Sequence, residues 1–193
     1  MSARWKIPII SSLVFAAWKI DARRKLGWIV DWLSLEAKII DIGSGPGSLL
    51  QVLGARGFKA EGLDIKDNSY RTALRPHLYG GQTMPFGTNS YDTALLATVL
   101  HHTPDPDAIL KEAARLAPRV IIIEDVYEGR VMEWLTKRMD SLMNLEFFGH
   151  PHSNRTDAQW RESFVAMGLN LRHAQTYRVA GIFKQTVYVI EPA

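Results

Sequence analysis

Cysteine is absent from all 193 positions, which excludes disulfides, thiolate nucleophiles and cysteine-ligated zinc or iron–sulfur centres. Also lacking is any unbroken run of ~20 apolar residues, the length a helix needs to span a bilayer. No internal repeat, low-complexity stretch or second-domain linker interrupts the chain. Charge of one sign is scarce: 23 Lys and Arg stand against 20 Asp and Glu, for a formal net charge of +3. The basic residues are scattered, without the dense stripe that disposes a surface to nucleic acid. What remains is an ordinary globular composition, 47% hydrophobic and 22% charged. It suits one domain over residues 1–193 with its own core, and a cytoplasmic protein is the expectation.

Near the start, Arg4 and Lys6 precede the apolar stretch Pro8 to Trp18, a charged-then-apolar order that export signals share. The chain then turns charged from Lys19 to Lys25 and apolar again from Leu26 to Leu33. That pattern reads better as a helical cap over 1–34. Its basic amphipathic character leaves peripheral membrane contact through residues 4–33 open.

Apolar periodicity predicts one or two helices over 9–34, with Gly27 a candidate break. The short apolar run Lys38–Ile42 reads as a buried parallel strand and Lys59–Ile65 as a second strand, separated by a helix from Pro46 to Arg56 that Gly57 stops. After a weakly patterned stretch with a short strand near Leu78, Tyr91–Ala97 is a strand. Ala108–Leu116 is a helix opened by Asp105 or Asp107, and Arg119–Glu124 is the plainest strand of the chain. Residues 130–146 and 156–167 read as helices, and Leu169–Tyr177 with Phe183–Ile190 as a terminal hairpin. Strands alternating with helices imply an α/β, doubly wound, mostly parallel sheet of Rossmann-like kind. In such sheets ligands bind beyond the carboxyl ends of the strands.

The residues at that edge carry the functional argument. Asp41-Ile-Gly-Ser-Gly-Pro-Gly47 joins the first strand to its helix, and glycines there permit tight turning and close approach of a ligand. A nucleoside-triphosphate loop would end in Lys-Ser/Thr, whereas residues 48 and 49 are Ser and Leu. A dinucleotide fingerprint expects Gly or Ala where Ser48 stands, and Asp41 would repel a pyrophosphate. S-adenosylmethionine (SAM) carries an ammonium and a sulfonium and no phosphate. A carboxylate is favourable beside it, by ~1 to 4 kcal/mol for unit charges at ~4 Å. Asp64, about 20 residues past the loop, stands where an acid accepts hydrogen bonds from ribose hydroxyls.

These segments, with Gly62-Leu-Asp-Ile65, Met84-Pro-Phe86, Ser90-Tyr-Asp92 and Val99-Leu-His-His-Thr-Pro-Asp105, resemble the successive motifs of class I SAM-dependent methyltransferases. The closest likeness is to the small type 11 group that includes quinone-biosynthesis enzymes. The resemblance covers about residues 36–125 and the terminal strand pair. It implies a seven-stranded sheet of order 3-2-1-4-5-7-6 with the last strand antiparallel, and SAM as cofactor with S-adenosylhomocysteine as product. It further implies that Asp41, Gly43, Ser44, Gly45 and Gly47 face the methionine and ribose, that Asp64 takes the ribose hydroxyls and that Ile65 packs on adenine. Thr83 and Met84 would flank the adenine, with Leu100 and His101 closing over the cofactor. One departure concerns the adenine amino group: where the family often has an acid, Tyr79-Gly-Gly-Gln-Thr-Met84 offers Gln82.

The expected reaction is methyl transfer to a small, apolar or aromatic acceptor. His102 is the candidate general base, because histidine titrates near neutrality; Asp125, Tyr127 and His150 are candidates on the acceptor side. An insertion over 127–155 would cover the acceptor, with Met132, Trp134, Met139, Met143, Phe147 and Phe148 as candidate lining. His150-Pro-His152 with His101, His102, Glu124 and Asp125 could be drawn as a metal cluster, but none of these falls in a recognised ligand spacing. Methylation of RNA, or SAM binding without turnover, are the alternative readings.

Overall fold

A computed structural model describes residues 8–127, 129, 132 and 153–192, with side chains from residue 12 onward. The expected helix over 130–146 lies outside them, apart from residue 132, and so does most of the 127–155 insertion. Seven strands form one sheet of order β3-β2-β1-β4-β5-β7-β6, the order the family resemblance implies. They are β1 (Lys38–Ile42), β2 (Lys59–Asp64), β3 (His77–Leu78), β4 (Thr93–Ala97), β5 (Arg119–Val126), β6 (Leu169–Val179) and β7 (Phe183–Pro192). The helices are α1 (Pro8–Ile29), α2 (Ser48–Ala55), α3 (Pro106–Leu116) and α4 (Asp157–Ala166). Among the described residues no helix is long and apolar enough to cross a membrane.

The chain divides into two compact units, Met1–Leu95 with Arg115–Pro118, and Leu96–Ala114 with Arg119–Ala193. In the first, β1 pairs with β2 and β2 with β3, all parallel. Helix α1 buries Phe15, Ala22, Leu26 and Ile29, a stripe at helical spacing. It runs through Gly27 unbroken, so of the one or two helices expected here the 8–29 stretch is a single one. A Cβ at Gly27 would meet nothing within 4 Å, so this glycine forgoes helix propensity but breaks no contact. Helix α2 begins at Ser48, two residues after the expected Pro46, because its N-cap Gly47 is left-handed at φ 80°. The motif Tyr91-Asp92 serves the sheet: Asp92 Oδ2 accepts the Lys38 amide at 2.7 Å and Tyr91 donates to Glu61 at 3.0 Å. The first of these bonds ties down the residue at which β1 starts, and the second reaches β2.

In the second unit, β7 runs antiparallel to both β5 and β6, and Val187 to Ile190 are fully buried. β5 extends two residues beyond the expected Glu124, because β7 continues to pair with Asp125 and Val126. The hairpin turns through Ala180 and Gly181, both at positive φ. A capping box between Thr156 and Gln159 opens α4, as Ser/Thr and Gln at that spacing can. The helix buries Trp160 and Phe164, the latter edge-on to Tyr188 at 5.3 Å. Asp105, of the two expected caps, is the one that opens α3: its carboxylate accepts the Ala108 amide at 3.0 Å.

Candidate functional site

At the end of β1 the backbone folds back over its neighbour: the Gly43 and Ser44 amides donate to the Leu63 carbonyl at 2.7 and 3.3 Å. Gly43, Gly45 and Gly47 then adopt φ of 74°, 53° and 80°, the left-handed region that a side chain disfavours. Two close approaches hold this shape. A Cβ on Gly47 would lie 2.7 Å from Leu74 Cβ, and one on Gly62 would lie 2.7 Å from Ser44 Oγ and 2.8 Å from Leu50 Cδ1. Gly62 is opposite Asp41 in the β1–β2 register. Its packing requirement was not singled out from the sequence, where the only signal is a glycine two residues before the strand-ending acid.

Asp64 reaches back to this loop. Its Oδ2 accepts the Gly45 amide at 2.8 Å and its Oδ1 accepts the Lys66 amide at 3.2 Å. A carboxylate offers about four lone-pair sites, so two bonded amides leave acceptor capacity for a ligand. Ile65, next along, exposes 56% of its surface, and Gly81 leaves the space beside it open, its would-be Cβ 3.4 Å from Ile65 Cγ2. Gln82 and Thr83 are exposed. The Met84 side chain is only 2% exposed. The Arg115 guanidinium donates to the carbonyls of Met84 and Phe86 at 3.1 and 2.7 Å, which fixes this turn with the Met84 side chain inward.

Asp41 is 2% exposed. Burial pushes its carboxyl up to about 7, and the charge of Asp64 adds to the rise, while the Lys25 ammonium opposes it. Lys25 is itself buried on α1 and pairs with Asp21 at 2.8 Å. The sequence reading passed over Asp21 and Lys25. Their signal was an acid and a base four apart within an apolar helix, a spacing that places them on one face.

In the second unit, β4 leads into a one-turn 3₁₀ helix, Leu100–His102, by way of Thr98 at φ 54°. Glu124 on β5 serves this turn. Its Oε1 accepts the amides of Val99 and Leu100 at 2.9 and 2.7 Å, and its Oε2 lies 2.5 Å from His101 Nδ1. Glu124 and His101 are fully buried. The ring of His102, half-buried, lies 4.1 Å from that of His101, tilted by 45°. Ser153 holds the other side of the turn: its amide donates to the His101 carbonyl at 3.1 Å, and its hydroxyl lies 2.9 and 3.1 Å from the carbonyls of Thr103 and Leu100.

Among the remaining candidates, Asp125 lies within β5, where Gln185 Nε2 donates to it at 3.0 Å. The Tyr127 hydroxyl donates to the Asn154 carbonyl at 3.3 Å. His150 lies outside the described residues, as do Trp134, Met139, Met143, Phe147 and Phe148.

The sequence profile of the methyltransferase domain matches residues 16–174. Ubiquinone biosynthesis O-methyltransferases are similar: that of Idiomarina loihiensis is 28% identical over 110 residues, covering 51% of this chain and 45% of the relative. The Nitrosomonas europaea enzyme is 28% identical over 42% of this chain and 39% of its own length. The chain thus spans less than half the length of these curated relatives. Among solved structures, a SAM-dependent methyltransferase from Methanosarcina mazei aligns with a TM-score of 0.69 at 16% identity, over 85% of this chain and 96% of that one. Magnesium protoporphyrin IX methyltransferase from Synechocystis, with bound S-adenosylhomocysteine, aligns at 0.64 and 18% identity, over 91% and 83%.

Proposed function

The chain belongs to the methyltransferase domain family, and from that premise we propose that it moves a methyl group from S-adenosylmethionine to a hydroxyl oxygen of a small, apolar or aromatic acceptor. The observation that carries the reading is the arrangement at the glycine loop. Two carboxylates, Asp41 and Asp64, bracket three left-handed glycines, and Asp41 is buried where its negative charge lacks solvent. An acid so placed favours a cation over a phosphate. SAM supplies that cation as an ammonium, with a ribose whose hydroxyls can donate to Asp64 and an adenine that can lie on exposed Ile65. Ser44 and the glycines Gly43, Gly45 and Gly47 would line the methionine and ribose, with Gln82 and Thr83 beside the base.

SAM contributes an activated methyl group on a sulfonium. The protein's part is to bind it, to orient the acceptor and to accept a proton. Orientation alone can supply much of the acceleration. An acceptor hydroxyl must lose its proton as its oxygen is methylated, which makes a positioned base useful; His102 fills that role here. Oxygen is favoured as the methylated atom because the curated relatives are O-methyltransferases. Helix α1 is the proposed cap, its membrane contact remaining part of the same proposal.

Titration calorimetry tests the donor: SAM should bind and NADH should not, and preferential binding of NADH would overturn the assignment. Turnover of methyl-labelled SAM across catechols, phenols, amines and tRNA tests the acceptor. Label appearing only in amines or tRNA would sink the oxygen reading.

A further inference from the structure

Glu124 carries more hydrogen bonds than its place on a core strand requires. A fully buried carboxylate is costly unless its charge is satisfied, and here three groups converge on it: the amides of Val99 and Leu100, which donate, and the ring of His101. Two backbone amides can only donate, so Oε1 acts as acceptor for both. A carboxylate oxygen accepts, so the 2.5 Å contact at Oε2 places the hydrogen on Nδ1 of His101.

We infer that Glu124 is a positioning residue: it fixes His101 as the Nδ1–H tautomer, pins the turn after β4, and through the His101 ring sets the orientation of His102. The inference rests on the methyltransferase reading for what the histidines do, though not for the tautomer. The turn is gripped from two sides. Glu124 takes its amides, and Ser153 takes the carbonyls of His101 and of either Leu100 or Thr103. Packed 4.1 Å from the buried His101 ring, the half-buried His102 ring is held by the protein on one side and keeps part of its surface accessible. An orienting acid behind a histidine is the logic by which a base is held in one tautomer and one direction. Here the acid acts one residue removed.

The substitution Glu124→Gln tests this with little change of shape. The glutamine carbonyl can still accept the two amides, while its NH₂ must face His101 Nδ1 and convert that nitrogen to an acceptor. In full-length protein labelled with ¹⁵N-histidine, two-bond nitrogen–proton spectra should show His101 as Nδ1–H in the wild type and Nε2–H in Glu124→Gln. The affinity for SAM and the KM for SAM should stay within twofold. With the catechol or phenol found to turn over, kcat should fall about 10²-fold or more, the range general-base catalysis spans.

A wild-type spectrum with His101 as Nε2–H overturns the inference, as does a Glu124→Gln enzyme with inverted tautomer and unchanged kcat. If that variant does not fold, His101→Asn and His101→Gln decide the matter through melting temperature. Asparagine places an N–H near Nδ1 and should be tolerated, whereas glutamine, which mimics Nε2, should not; the reverse order overturns the proposal. Absence of SAM binding in the wild type would instead mark failure of the methyltransferase reading.

Discussion

Replacing Asp41 with asparagine should make the protein more stable and less able to bind SAM. Asp41 is buried, and its carboxyl rises from an ordinary 3.8 to about 7, mainly through loss of hydration and then through the charge of Asp64. Between those values the folded chain holds a proton that the unfolded chain has released. The stabilisation due to this group is therefore complete below pH 3.8 and is lost as pH rises through 7. Above pH 7 the ionised carboxylate costs about 4 kcal/mol relative to the unfolded state, at about 1.4 kcal/mol per pH unit. The amide that replaces it stays neutral throughout. Asp41→Asn should thus melt higher than wild type at pH 8, by up to ~10 °C for a chain of this size, and alike at pH 4. Its SAM affinity should fall tenfold or more, whereas 5′-methylthioadenosine, which lacks the ammonium, should bind as before. For the wild type, SAM affinity should weaken about tenfold per pH unit below 7 as the carboxyl protonates. Melting curves from pH 4 to 8 and calorimetry with both nucleosides make the measurement. A melting difference independent of pH, or equal loss of both ligands, would refute the placement of Asp41 beside a cationic group.

Asp64→Ala removes an acceptor from both the Gly45 amide and the proposed ribose site, so SAM and 5′-methylthioadenosine should weaken together, by tenfold or more. Equal binding of both to wild type and variant would count against it. Gly62→Ala drives a methyl group into Ser44 Oγ and Leu50 Cδ1; it should destabilise by about 1–3 kcal/mol, read as a lower urea midpoint, and should weaken SAM binding by displacing Ser44. Thr156→Ala deletes the capping box of α4 and should cost about 1 kcal/mol with SAM affinity unchanged, which separates fold stability from the site.

Much of this fold is legible because its strands are written in two different scripts. The parallel strand β1 is a short apolar run that stops at a glycine, as strands buried on both faces do, whereas β2 is buried only at Gly62 and Leu63 before its closing acid. The hairpin β6–β7 alternates along its outer member. What escaped were properties conferred by a distant partner. β5 outlasts its apolar run because β7 keeps pairing through Val126. Helix α1 survives Gly27 because its buried stripe resumes at Ile29, and propensity at one exposed position is a weak vote against a packed face. Met84 sits within a motif that reads as site, and its side chain is buried.

The candidate site divides the same way. Asp41, Asp64 and the glycines were nameable because their spacing is local to one strand–turn–helix unit. The burial of Asp41 and the proximity of Lys25 were not, since they depend on where α1 packs. His102 is a candidate base because histidine titrates near neutrality, a property of the residue type that says nothing of what holds either adjacent ring in place. Only folding brings Glu124, 23 residues on, against His101, and that contact marks His101 as the anchored ring.

Thr98, wound left-handed between β4 and the histidine turn, bears on any attempt to transplant that turn. A β-branched residue resists such a winding by an energy on the order of 1–3 kcal/mol, so the surrounding contacts must impose it. The Thr98 amide is tied to the Ile123 carbonyl at 2.7 Å. Residues 97–103 excised as a peptide, or grafted to a scaffold lacking a glutamate at the matching point of the next strand, would keep their letters and lose their curvature.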